Sequence, residues 1–190
     1  MPDERFAELA AGRVVLRRLR PGDLAALVRY RSEPAVARFQ GWDSPYPAAD
    51  GERLIGEMLG RHPDTPGEWF QFAIAIEPDG RLAGDCGALI SADDPRQAEI
   101  GFTLAPEHQG AGYATEAVLA LLGYLFGERA KHRVTASCDP RNTRSAALLE
   151  RVGMRREGHL VESTWAKGEW TDDLLYALLD REWAAGQARR

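Results

Sequence analysis

The chain is poor in cysteine: Cys86 and Cys138 are the two in 190 residues, far apart and outside any Cys-x-x-Cys spacing. That argues against a disulfide framework and gives no sign of a zinc site. Histidine is scarce too. His62, His108, His132 and His159 show no His-Glu-x-x-His or paired-ligand spacing, so no metal is expected. Long apolar runs are missing: none approaches the roughly 20 residues that span a bilayer, so no membrane association is expected and the expected location is the cytoplasm. Nor is there an excess of positive charge, because 24 Lys and Arg stand against 29 Asp and Glu, a formal charge of -5. That balance offers no whole-chain attraction for nucleic acid or an anionic surface, and no nucleic-acid partner is expected.

What is present is an ordinary globular composition, 44% hydrophobic and 28% charged. The 190 residues suffice for one well-buried core and would cramp a second, so a single domain over 1–190 is expected, its core at about 13–183. Residues 13–20, RVVLRRLR, read as a strand, closed by Pro-Gly-Asp; Asp23 is placed to cap a helix through Tyr30. A second helix is expected over 48–60. Residues 69–76 and 82–90 form a hairpin around Pro-Asp-Gly, and 98–104 is a further strand. Val118, Leu121, Leu122 and Leu125 recur at helical spacing. Residues 132–138 read as a strand, Asn142 as the N-cap of a helix ending at Gly153, and the C-terminal segment as two strands around Lys167-Gly168, then a short helix or tail. This order indicates α+β mixing around one sheet.

The sharpest local signal is EHQGAGYATEA, residues 107–117, where Gly110 and Gly112 stand at the mouth of a helix. Glycine lets backbone approach a ligand, and a helix N-terminus offers unpaired amides and partial positive charge, a combination suited to phosphate. No lysine follows the glycines as a P-loop requires, and Thr115 stands where a dinucleotide fingerprint needs its third glycine. The pattern left is Gln109-x-x-Gly112-x-Ala114 between a strand and a helix.

That pattern resembles the acyl-coenzyme A signature of the GNAT N-acetyltransferase superfamily, [RQ]-x-x-G-x-[GA]. Together with NTRSAALLERVGMRREG at residues 142–158 and the opening GRVVLRRLRPGDLAALVRYRSEPAVARF, it resembles the ribosomal-protein N-terminal acetyltransferase branch (RimJ/RimL type) over nearly the whole chain. The resemblance implies a mixed, twisted sheet whose central strands splay apart, flanked by helices, with acetyl-coenzyme A as cosubstrate. It implies that the backbone of Gln109, Gly110, Ala111, Gly112, Tyr113, Ala114 and Thr115 faces the pyrophosphate, that Phe102, Thr103 and Leu104 pair with the pantetheine arm, and that Asn142 touches coenzyme A. It also suggests Glu99 as general base and Ser145 as thiolate proton donor. Many family members carry a tyrosine seven positions after the asparagine; here that position is Leu149. Trp42 and Trp69 are candidates to line an acceptor groove. The expected acceptor is an amine, at a protein N-terminus or on a small molecule, and a homodimer is left open. The alternative from a different class is a non-catalytic acyl-coenzyme A sensor or interaction module.

Overall fold

The computed structural model describes residues 6 and 8–188. Its centre is a mixed sheet in the order β1-β2-β3-β4-β5-β6-β8-β7. The strands are β1 (Glu8–Ala11), β2 (Val14–Arg18), β3 (Trp69–Ile76), β4 (Arg81–Ile90), β5 (Gln97–Leu104), β6 (Arg133–Cys138), β7 (Arg155–Ala166) and β8 (Glu169–Leu179). All neighbours are antiparallel except β5 and β6. A parallel pair needs a crossover, and α4 (Tyr113–Gly123), extended by a π turn over Tyr124–Glu128, supplies it. The other helices are α1 (Leu24–Arg31), the short α2 (Pro34–Ala37), α3 (Ala48–Gly60), α5 (Thr143–Arg151) and α6 (Asp180–Gln187).

Helices cover both faces of the sheet. Phe72 is paired with Cys86, whose neighbour Asp85 points to the opposite face. Tyr124, in the turn that ends α4, packs on Phe72, whereas Tyr30 and Arg31 of α1 both bond to the Asp85 carboxylate. In α3 the buried Gly51, Ile55 and Met58 follow helical spacing. Gly51 permits close packing with α1, since a Cβ there would lie 2.8 Å from Leu24 Cδ1.

Two expectations need correction. Asp23 stands at the N-cap position but makes no side-chain cap; its carboxylate forms a buried, two-pronged pair with Arg17, 2.7 and 2.9 Å. The same carboxylate accepts from the Arg20 amide at 2.8 Å, so its oxygens face back toward β2 and the preceding turn rather than forward to the first amides of α1. The core also begins before residue 13, because Phe6 is buried among the rings of Phe70, Phe72 and Tyr124, and β1 adds an edge strand.

Candidate active site

β5 and β6 are paired at only three positions, Gln97↔Arg133, Ala98↔Val134 and Glu99↔Thr135. Both strands then run on, to Leu104 and Cys138, without each other. The Ala98 carbonyl accepts from Thr135 Oγ1 at 3.3 Å, and the Ala105 amide donates to Ala83 on the β4 side at 2.9 Å. Alternation between these fixed points turns the backbone of Ile100, Phe102 and Leu104 toward the opening fork and that of Thr103 toward β4. Strand edges with unmet hydrogen-bonding groups are templates for an extended ligand. A narrow cavity of about 90 Å³ occupies the fork, lined by Phe102 and Cys138 from the strands and by Asn142, Ser145 and Leu149 from the α5 region.

The geometry thus brings together residues that are distant in sequence. Asn142 Oδ1 accepts from the Ser145 amide at 3.2 Å, the expected cap, while the Ser145 hydroxyl makes no hydrogen bond within the described residues. Burial pushes the Cys138 thiol up to about 11, with the negative charge of Asp139 adding to the effect, so it is a neutral lining group.

Glu99 sits at the last paired position of the fork. Its carboxylate is half-buried, makes no hydrogen bond or ion pair within the described residues, and burial alone raises its pKa above the ordinary value. Register places Trp69, Leu89, Glu99 and Thr135 side by side on one face. The Trp69 ring extends from there over Gly101, where a Cβ would lie 3.9 Å from Cη2.

Beyond β5 the chain passes through a 3-10 turn, Pro106–His108, into the glycine loop. Gly110 and Gly112 have φ of 80° and 90°, the left-handed region in which other residues are strained, and no atom lies within 4 Å of where a Cβ on Gly110 would stand. The first bond of α4 runs from the Glu116 amide to the Gly112 carbonyl, 3.1 Å, leaving the amides of Tyr113, Ala114 and Thr115 as the unpaired first turn. The Gln109 side chain is committed to structure: Nε2 donates to the Leu104 carbonyl at 3.1 Å and Oε1 accepts from Arg144 at 2.7 Å.

The two tryptophans do not share a pocket. Trp42 lines a separate open hollow of about 470 Å³ with Arg31, Asp43 and Tyr46, its ring over the Arg31 guanidinium at 4.1 Å and its N–H bonded to the Arg31 carbonyl. Lys167, at the tip of the β7–β8 hairpin, reaches this loop, donating to the Trp42 carbonyl and, at 3.0 Å, to Asp43. Sequence reasoning passed over Lys167, Arg144 and Arg13 because each acts across more than 30 residues, where no local spacing could flag it. Among the described residues no helix is long and apolar enough to cross a membrane.

Comparison with known proteins converges on one family. Residues 13–155 match the family model described as acetyltransferase (GNAT) domain. The chain is 31% identical over 172 residues, 90% of it and 96% of the relative, to the uncharacterized N-acetyltransferase p20 of Bacillus licheniformis. It is 33% identical over 88 residues, 46% of this chain and 45% of the other, to the ribosomal protein uS5-alanine N-acetyltransferase of Escherichia coli. Among solved structures it resembles an acetyltransferase (GNAT family) from Bacillus anthracis, with a TM-score of 0.82, 27% identity, and coverage of 92% of this chain and 99% of that one.

Proposed function

From the premise that the chain belongs to the GNAT acetyltransferase family, we propose that it transfers an acetyl group from acetyl-coenzyme A directly to a primary amine, with Glu99 as the base. The observation that carries this reading is the position of Glu99: a carboxylate unpaired among the described residues, at the point where the two parallel strands part. The backbone of Ile100 and Phe102 and the Leu104 amide hold the extended arm of the donor, and the Gly110–Thr115 amides hold its pyrophosphate. A Cβ-free surface at Gly110 and the unpaired first turn of α4 fit that group.

Glu99 takes a proton from the acceptor ammonium, directly or through one water, so that the neutral nitrogen attacks the thioester carbonyl. The carbon–sulfur bond breaks as the amide forms, and the second proton shed by the attacking nitrogen passes to the departing sulfur, which leaves as the thiol; the Ser145 hydroxyl, without a partner among the described residues, hydrogen-bonds that sulfur at the fork. No covalent enzyme intermediate is required. An α-amine, with an ordinary pKa of about 8, asks less of such a base than a lysine amine at about 10.4. That difference, with the alanine N-acetyltransferase among the relatives, favours a protein N-terminus as acceptor over a small alkylamine. The test is a panel of N-terminal peptides and polyamines assayed for acetyl-coenzyme A-dependent thiol release, with mass spectrometry locating the acetyl group. Turnover only with small amines would remove the N-terminal assignment; no turnover with any amine would remove the base.

A further inference from the structure

Arg13 lies just before β2, about 100 residues from the glycine loop, yet it holds that loop from behind. Its Nη2 donates to the Ala111 carbonyl at 2.7 Å, its backbone amide to Glu116 Oε2 at 2.8 Å, and its Nε and Nη2 to Glu116 Oε1, Nε at 2.8 Å. The guanidinium lies over the Tyr113 ring at 4.9 Å. Burial works against the Glu116 charge, but the Arg13 bonds outweigh it and hold the carboxyl below its ordinary pKa. The fit is close: a Cβ on Gly12 would come within 2.9 Å of Glu116 Oε2, and one on Gly112 within 3.2 Å of Arg13 Nη2. Helix-dipole stabilisation, which accounts for an acid in the first turn of α4, does not explain a fork that reaches past the acid to a loop carbonyl.

We propose that Arg13, braced by Glu116, is a positioning residue for the donor: it orients the loop so that its amides face the pyrophosphate. The reason is peptide geometry. In a trans peptide the C=O and N–H point in opposite directions, so drawing the Ala111 carbonyl onto Arg13 turns the Gly112 N–H away from Arg13, to the other side of the loop. Unheld, the loop has two glycines free to rotate and pays the ordering entropy when it binds. The proposal rests on the acetyl-coenzyme A reading of the same loop.

The test compares wild type with Arg13→Gln, Arg13→Lys and Glu116→Gln. Loss of a forked, charge-assisted contact should raise the Kd for acetyl-coenzyme A about tenfold in each. The kcat at saturating donor should stay within about twofold of wild type, and so should kcat/KM for S-acetylpantetheine, which lacks the pyrophosphate. Amide exchange at residues 110–113 of the donor-free protein should accelerate in the same variants. Full rescue by Arg13→Lys would overturn the clamp in favour of simple charge attraction, because lysine keeps the charge and loses the fork. Equal losses with both donors, or unchanged exchange, would also overturn it. Wild type that fails to bind acetyl-coenzyme A would instead refute the functional reading, and the exchange measurement would still judge the clamp.

Discussion

Glu99 and Thr135 face each other across the last rung that joins β5 to β6, and one residue further on the strands no longer pair. The base proposed for the reaction therefore stands on paired, rigid backbone, next to backbone that is free to bind.

Glu99→Gln should lower turnover by about 10²-fold or more while leaving the acetyl-coenzyme A Kd unchanged, with partial recovery at high pH as the amine loses its own proton. In wild type, kcat/KM should fall as pH drops through the raised pKa of Glu99, since the base must be deprotonated. Stability runs the other way. A carboxyl whose pKa is raised by folding contributes stability below its unfolded pKa, and that contribution is lost as pH rises through the folded value. The glutamine variant should accordingly melt higher than wild type at neutral pH and not at pH 3. A pH-rate profile and two melting curves decide the matter.

Gly112→Val should strain the loop by about 1–3 kcal/mol, because φ is 90° there, and should push its side chain against Arg13 Nη2. Donor affinity should fall by more than stability does. Calorimetric titration of the folded variant checks this; wild-type affinity would rule out close approach of the donor at Gly112.

Asn142→Ala and Ser145→Ala should separate capping from chemistry. Asn142 accepts the Ser145 amide, so its loss should cost about 1 kcal/mol of stability, whereas the Ser145 hydroxyl caps nothing and its removal should leave the melting temperature in place. If Ser145 meets the departing sulfur, its alanine variant should slow the chemical step in single-turnover kinetics. An unchanged step would free Ser145 of that role.

Asp85→Ala should be the most damaging of these changes to stability, costing about 3–5 kcal/mol, because it strands the buried Arg31 guanidinium and the Tyr30 hydroxyl together. Urea unfolding of the variant measures the loss, and Tyr30→Phe should cost less because it leaves the Arg31–Asp85 pair in place.

Local pattern carried much of the fold. The expected helix over 48–60 and strand over 69–76 coincide with α3 and β3, since apolar spacing and turn residues at their ends agree. β1 escaped notice because ELAA has no strand pattern of its own and is a strand only by pairing with Val14–Arg17. The glycine loop was legible because its left-handed positions at Gly110 and Gly112 are a backbone demand, and backbone demands show as glycine. The fork itself was visible only through family resemblance: alternation reveals that two strands exist, not where they separate. The Arg17–Asp23 pair and the Arg13 clamp were hidden for a related reason, since an arginine in a strand-like run gives no sign of which distant oxygen it will meet.

The unpaired length of β5 also acts as a gauge. Five residues, 100–104, carry β5 from the rung at Glu99 to its end, roughly 16 Å at the rise of an extended strand, just before the turn that leads to the glycine loop. Because β4 pairs with β5 through Leu104 on its other side, that length cannot stretch or slip. The separation between the glycine loop and the carboxylate is therefore built into the sheet, and if the loop anchors the donor as proposed, a donor with a shorter arm would present its acyl carbon short of Glu99.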